Sequence, residues 1–89
     1  MLENGEKAML IEAKTKLTEE RIDKHILRLE KMRKYADLHG DKRTFLGAVA
    51  GIVVTDDVKK YALSLGLYLI EYAGENFYIT PPKDKPKEW

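Results

Sequence analysis

The chain contains no cysteine. This absence excludes a disulfide framework, a metal site built on thiolates and a cysteine nucleophile. With 89 residues, of which 44% are hydrophobic, the chain is long enough for one folded domain and too short for two. Because a chain without disulfides fits a reducing compartment, we expect a cytoplasmic protein.

An excess of one charge sign is also lacking. The 16 lysine and arginine residues are nearly balanced by 15 aspartate and glutamate residues, which leaves a formal charge of +1. This balance provides no whole-chain attraction to nucleic acid or to an anionic membrane. Any binding of DNA therefore has to come from a local basic patch.

Long apolar runs are missing as well. The longest, residues 45–54, has about half of the roughly 20 residues that a membrane-spanning helix needs, and it is typical of a buried strand. Glu3, Asn4, Gly5 and Glu6 break the pattern of a secretory signal. We expect no membrane segment and no export.

Capping residues and periodicity divide the chain into strands and helices. Thr18 and Thr55 are favourable N-cap residues, and Gly40 and Gly66 are suited to end the helices that follow them. Asn4-Gly5 is typical of a two-residue hairpin turn, which makes residues 1–3 the end of a preceding strand. The predicted elements are a strand at 7–17, a helix of about 20 residues up to Gly40, a strand at 44–54, a helix at 56–65, and a hairpin of strands 67–72 and 76–80.

This order of elements predicts an α/β fold. Right-handed crossovers make three of the strands parallel, and the C-terminal hairpin adds an antiparallel edge. Pro81 and Pro82 end the hairpin, so residues 1–82 form one domain and residues 83–89 an extended tail. Gly47 and Gly51 lie inside the apolar strand, where the absence of a side chain lets a helix approach the sheet closely.

The two faces of the predicted strand 7–17 differ in polarity. Side chains alternate between the faces of a strand with a period of two. One face is apolar and the other is mostly charged. The first carries Met9, Ile11, Ala13 and Leu17, and the second carries Leu10, Glu12, Lys14 and Lys16.

Glu12 and Lys14 leave the same face of that strand, about 6.5 to 7 Å apart at their bases. A carboxylate is a hard oxygen ligand for Mg²⁺ or Mn²⁺, and the backbone carbonyl of Ala13 can supply a second oxygen. The Lys14 ammonium is placed to orient an attacking water or help its deprotonation, and to offset phosphorane charge. These functions suit phosphodiester cleavage. In a chain with 35% charged residues, the pair equally fits a solvated strand face.

The helix after this strand is rich in basic residues, and such a flank can follow a phosphate backbone. Pairs at helical spacing, such as Glu20 with Lys24, equally fit a solvated helix. His25 borders the apolar stripe, which fits either a half-buried structural role or a position beside Glu12 and Lys14. The residues predicted to contact nucleic acid are Lys16, Arg21, Lys24, His25 and Arg28.

Five segments of the chain together carry a family resemblance. They are LIEAKTK at 10–16, the helix at 22–35, GAVAGIV at 47–53, YA at 61–62 leading into GLYLI at 66–70, and PKEW at 86–89. With these segments, residues 4–89 resemble a bacterial branch of the PD-(D/E)XK restriction-endonuclease-like superfamily.

The resemblance implies a restriction-endonuclease-like mixed sheet flanked by helices. Its parallel β-α-β-α-β core would carry a C-terminal antiparallel hairpin and would lack the family's first helix and most of its first strands. The resemblance also implies Glu12 as metal ligand together with the Ala13 carbonyl, and Lys14 as the catalytic lysine. The aspartate that opens the family motif belongs before the Asn4-Gly5 turn, where Glu3 is the nearest acid.

The implied function is an ancestral hydrolysis of DNA phosphodiesters with Mg²⁺ or Mn²⁺, weak or absent in a form without that aspartate. The alternative is a non-catalytic module that keeps the fold and binds nucleic acid or protein. DNA is one expected partner. A second copy is another, pairing through the sheet edge left open by the missing strand. No small-molecule cofactor is expected.

Overall fold

A computed structural model describes residues 2–3 and 6–89, with side chains from Glu6 onward. The predicted elements between residues 7 and 80 are all present, with bounds that differ by about one residue. The predicted Asn4-Gly5 turn lies outside the described residues. The elements are β1 (Leu2–Glu3), β2 (Lys7–Lys16), α1 (Glu19–Leu38), β3 (Thr44–Val53), α2 (Asp56–Ser64), β4 (Tyr68–Ala73) and β5 (Asn76–Thr80).

Local capping explains where both helices begin and where α1 ends. The Thr18 hydroxyl accepts a hydrogen bond from the backbone N–H of Arg21 at 3.3 Å, and the Thr55 hydroxyl accepts one from Val58 at 3.4 Å. Gly40 follows α1 with a φ of 72°, which glycine adopts without a steric penalty. The predicted caps are therefore confirmed.

The strands form one mixed sheet in the order β1-β2-β3-β4-β5. β2, β3 and β4 are parallel, and β1 and β5 are antiparallel to their neighbours, which confirms the predicted topology. Both crossovers advance across the sheet in the same direction, so right-handed connections place α1 and α2 on one face. A hydrogen bond from the Tyr61 hydroxyl to the Asp23 carboxylate joins the two helices.

The hydrophobic core lies between the helices and this face, which we call the covered face. Leu29 of α1, Ala62 of α2, Val49 of β3 and Leu69 of β4 are all fully buried in it. A Cβ atom at Gly47 would lie only 2.6 Å from Leu29 Cδ1. Glycine at this position therefore permits the close approach of α1, as predicted.

Cross-strand register shows which face of β2 the helices cover. Glu12 lies opposite Val49, which lies opposite Leu69, and the latter two residues pack in the core. Neighbours in register project to the same side, so the charged side of β2 belongs to the covered face. Leu17, predicted on the same side as Met9, is instead buried in the core. The prediction was wrong there because β2 ends one residue earlier, and the alternation ends with it.

The opposite face of the sheet carries no helix in the part of the chain that the structure describes, and we call it the open face. Its side chains are those in register with the apolar side of β2. They belong to Lys7, Met9, Ile11, Ala13, Thr15, Thr44, Leu46, Ala48, Ala50, Ile52, Tyr68, Ile70, Tyr72, Phe77 and Ile79.

The C-terminal tail returns to the sheet at the start of β3. Trp89 and Phe45 exchange two backbone hydrogen bonds of 2.8 and 2.9 Å, and the Trp89 indole is buried beside Gly47. The Arg33 guanidinium lies 5.0 Å from the centroid of the Phe45 ring and donates to the Asp41 carbonyl at 2.6 Å. Residues 83–89 have no regular secondary structure, but their end is part of the packed domain.

Candidate functional site

Glu12 and Lys14 meet on the covered face, toward the C-terminal end of β2. Lys14 Nζ lies 3.3 Å from Glu12 Oε1. The pair lies at the margin of the helical layer, where 20% of the Glu12 side chain and 36% of the Lys14 side chain are exposed. The two residues predicted to carry chemistry are therefore in contact with each other and accessible to solvent.

Arg28 of α1 completes this cluster. Its Nη1 donates to Glu12 Oε2 at 2.7 Å, so each carboxylate oxygen faces a different cation. Burial disfavours the ionised form of Glu12, but Arg28 and Lys14 outweigh it, and the pKa of Glu12 lies below its ordinary value. Arg28 was predicted only as a contact for nucleic acid. We refer to Glu12, Lys14 and Arg28 as the Glu12 cluster.

The backbone carbonyl of Ala13 points away from β3. Thr44 N–H donates to the Glu6 carbonyl at 2.8 Å, and the parallel register then directs the backbone groups of even-numbered β2 residues toward β3. Odd-numbered residues point to the outer edge, where β1 pairs only with the start of β2 among the described residues. The Ala13 carbonyl therefore lies outside the β2–β3 ladder and can serve as an oxygen ligand.

His25 lies in the interior, with 3% of its surface exposed. Its Nε2 is 3.1 Å from the Leu10 carbonyl, which can only accept, so Nε2 carries a hydrogen. Burial lowers the pKa of His25, although the Leu10 carbonyl and the Glu12 carboxylate act in the opposite direction. An imidazole with this burial leaves almost no surface for contact with a phosphate in this conformation.

The other residues predicted to contact nucleic acid, Lys16, Arg21, Lys24 and Arg28, are exposed. The last three are spaced by three and four residues along α1 and therefore share one flank of the helix. The bond between Arg28 and Glu12 shows that this flank borders β2. We call Arg21, Lys24 and Arg28 the basic flank, which adjoins the Glu12 cluster.

Sequence reasoning missed a second ion pair on the covered face. Lys59 of α2 lies 3.3 Å from Glu71 of β4. The register aligns Lys14, Gly51 and Glu71 across three strands, so the backbones of Lys14 and Glu71 are about 10 Å apart. The alternation along β4, which puts Glu71 on the side of Leu69, was the available signal. Within residues 6–89, no three histidine, aspartate or glutamate side chains form a group able to hold a metal ion.

Comparison with the profiles of known protein families, with curated proteins and with solved structures found no match for this chain. Among the described residues, no helix has both the length and the apolar character needed to cross a membrane.

Proposed function

We propose that this chain is a cytoplasmic nuclease-like domain of the PD-(D/E)XK kind with a restriction-endonuclease-like sheet. The observation that carries the proposal is the contact between Lys14 and Glu12 at the solvent-accessible margin of the covered face. The strand that holds them follows an antiparallel strand and leads through a helix into a parallel strand. This is the architecture that the sequence resemblance implies around the motif.

The residues present fit a divalent ion only in part. Glu12 and the Ala13 carbonyl offer ligand oxygens. Few protein ligands are enough for Mg²⁺ when water and substrate phosphates complete its coordination shell. A bound ion would polarise the scissile phosphate, while Lys14 would orient the attacking water and offset developing negative charge. Arg28 holds one oxygen of Glu12, so that bond has to open before both oxygens can bind a metal. We therefore expect weak metal binding and low activity.

Titration calorimetry with Mn²⁺ tests the metal site. Glu12→Gln keeps the shape of the side chain but removes its charge, and we expect the affinity for Mn²⁺ to fall at least about tenfold. Glu30→Gln, at an exposed position of α1, is the matched control and should bind Mn²⁺ like the wild type. Equal affinity in wild type and Glu12→Gln would refute the metal site.

Cleavage of supercoiled and single-stranded DNA tests the chemistry. Lys14→Met should keep Mn²⁺ binding and lose cleavage, by roughly a hundredfold or more for a group acting on the transition state. Loss of cleavage in both Glu12→Gln and Lys14→Met would support a working site completed by a further acid. Cleavage that survives both substitutions would contradict the assignment.

A non-catalytic nucleic-acid-binding module is the second candidate. Both oxygens of Glu12 are already paired with cations, and the basic flank beside them is exposed. On this alternative, DNA binding persists in EDTA and weakens with salt as phosphates displace counterions. Fluorescence anisotropy should then show weaker binding in Arg21→Gln and Lys24→Gln, with no loss in Glu12→Gln. Lys83→Gln in the tail is the control.

A further inference from the structure

The open face exposes large apolar side chains that nothing in the described chain covers. Ile52, Phe77 and Ile79 are 63%, 60% and 56% exposed, and Tyr72 and Ile11 are 48% and 37% exposed. At about 200 Å² for a large side chain, these five leave roughly 500 Å² of apolar surface in water. The largest apolar patch on a typical monomer is about 300–600 Å² and is often functional.

We propose that two copies of this chain associate face to face through their open faces. A standard interface takes about 800 Å² from each partner. The five exposed side chains supply more than half of that area, and uncharged neighbours on the same face, such as Ala13 and Ile70, add to it. This inference does not depend on the proposed nuclease function.

Charge favours a second copy over other occupants. The alternate residues of β2 from Met9 to Thr15, and their partners in register on β3, β4 and β5, are all uncharged. Lys7 projects to the same face at the start of β2, and Lys85 and Glu88 lie beside Leu46 and Tyr68 at that end. Two copies related by a two-fold axis therefore bury no unpaired charge when they meet through the other end, which carries Ile52, Tyr72 and Phe77. Nucleic acid needs cations at its interface, and the Glu12 cluster and basic flank lie on the other side of the sheet. The dimer would leave that side exposed.

A face contact differs from the edge contact expected from the sequence. Pairing through an edge strand would satisfy backbone groups but leave the open face in water. Adjacent residues on one strand distinguish a face contact from an edge contact, because their side chains are similarly exposed but point to opposite faces of the sheet. Phe77 lies on the open face, and Tyr78, 57% exposed, lies on the side of Glu71. Ile52 and the 49% exposed Val53 form a second such pair.

Sedimentation equilibrium of the full chain at micromolar concentrations, with circular dichroism to confirm folding, tests the proposal. The wild type should be dimeric. Phe77→Lys and Ile52→Lys should each raise the dimer dissociation constant roughly a hundredfold, because each buries charge in an apolar interface. Tyr78→Lys and Val53→Lys should remain dimeric. A monomeric wild type would overturn the proposal, and so would equal weakening within each pair. A dimer that none of the four substitutions weakens would also overturn it and would point to the sheet edge beside β2.

A crosslinking experiment covers the case in which a lysine variant fails to fold. Because the chain has no cysteine, Ile52→Cys and Val53→Cys each introduce a single thiol. Under mild oxidation, Ile52→Cys should form a disulfide between two copies at least about tenfold faster than Val53→Cys. Equal rates at the two positions would contradict a contact through the open face.

Discussion

The covered and open faces belong to the same strands but differ in what lies against them. On the covered face, Gly47 admits α1, and Val49 and Leu69 are fully buried. On the open face, Ile52 and Phe77 are more than half exposed. The comparison shows that apolar character does not select the face that helices cover. The handedness of the two crossovers selects that face. Glu12 is stable on the covered face because it lies at the margin, where two cations contact its carboxylate.

The largest expected difference between the faces is in stability. Trp89→Ala should lower the free energy of unfolding by about 3–5 kcal/mol, because it removes a large buried side chain and leaves a cavity beside Gly47. Phe77→Ala, on the open face, should lower it by less than about 1 kcal/mol in dilute monomer. Urea unfolding measures both. Equal losses would mean that the open face has a buried role within one chain.

The part of the fold set by local interactions was predictable from sequence. Thr18, Thr55 and Gly40 act on their own helix ends, and the crossover rule then leads to the parallel core. The position of Leu17 was not predictable from alternation, because it depends on where β2 stops. The contacts of Glu12 with Arg28 and of Phe45 with Trp89 join residues far apart in sequence, and only the packed structure brings them together.

The candidate site was likewise predictable only where local spacing determines the structure. Period-two spacing was enough to place Glu12 and Lys14 on one side of a strand, and the structure puts them in contact. Their function stays a prediction. His25 illustrates what spacing leaves undecided, since a residue at the border of an apolar stripe turns inward or outward according to how the helix packs. Here the Leu10 carbonyl binds it inside.

Substitution of His25 should have a smaller effect on stability, and that effect should depend on pH. Burial lowers its pKa below the ordinary 6.5, so the unfolded chain binds more protons than the folded one between the folded pKa and 6.5. Stability should therefore fall as the pH is lowered from 7 through this window. His25→Gln should cost about 2 kcal/mol at pH 7 and remove this pH dependence. Urea unfolding across this pH range measures it.

His39→Gln provides the control for that experiment. His39 is exposed at the end of α1, so the substitution should leave the dependence of stability on pH in place. If the dependence persisted in His25→Gln and vanished in His39→Gln, the assignment to the buried imidazole would be wrong.

The smallest effect is expected at the margin of the covered face. Arg28→Gln removes one cation from Glu12, so the Glu12 pKa should rise toward its ordinary value of 4.5. The stability that the pairing provides is present above pH 4.5 and lost as the pH falls through the lowered pKa. Arg28→Gln should reduce this loss in acid while changing stability at pH 7 by less than about 1 kcal/mol, because 56% of the Arg28 side chain is exposed.

Carboxyl NMR titration of Glu12 measures that pKa directly, and Arg21→Gln, on the same flank, is the control that should not move it. The same variant separates two roles of Arg28. If Arg28 competes with a metal for Glu12 Oε2, Arg28→Gln should bind Mn²⁺ more tightly than the wild type. If Arg28 only holds a structural ion cluster, the Glu12 pKa should rise with no gain in Mn²⁺ affinity. An unchanged pKa would contradict the Arg28–Glu12 bond in solution, because the cation that stabilises the carboxylate would then not be beside it.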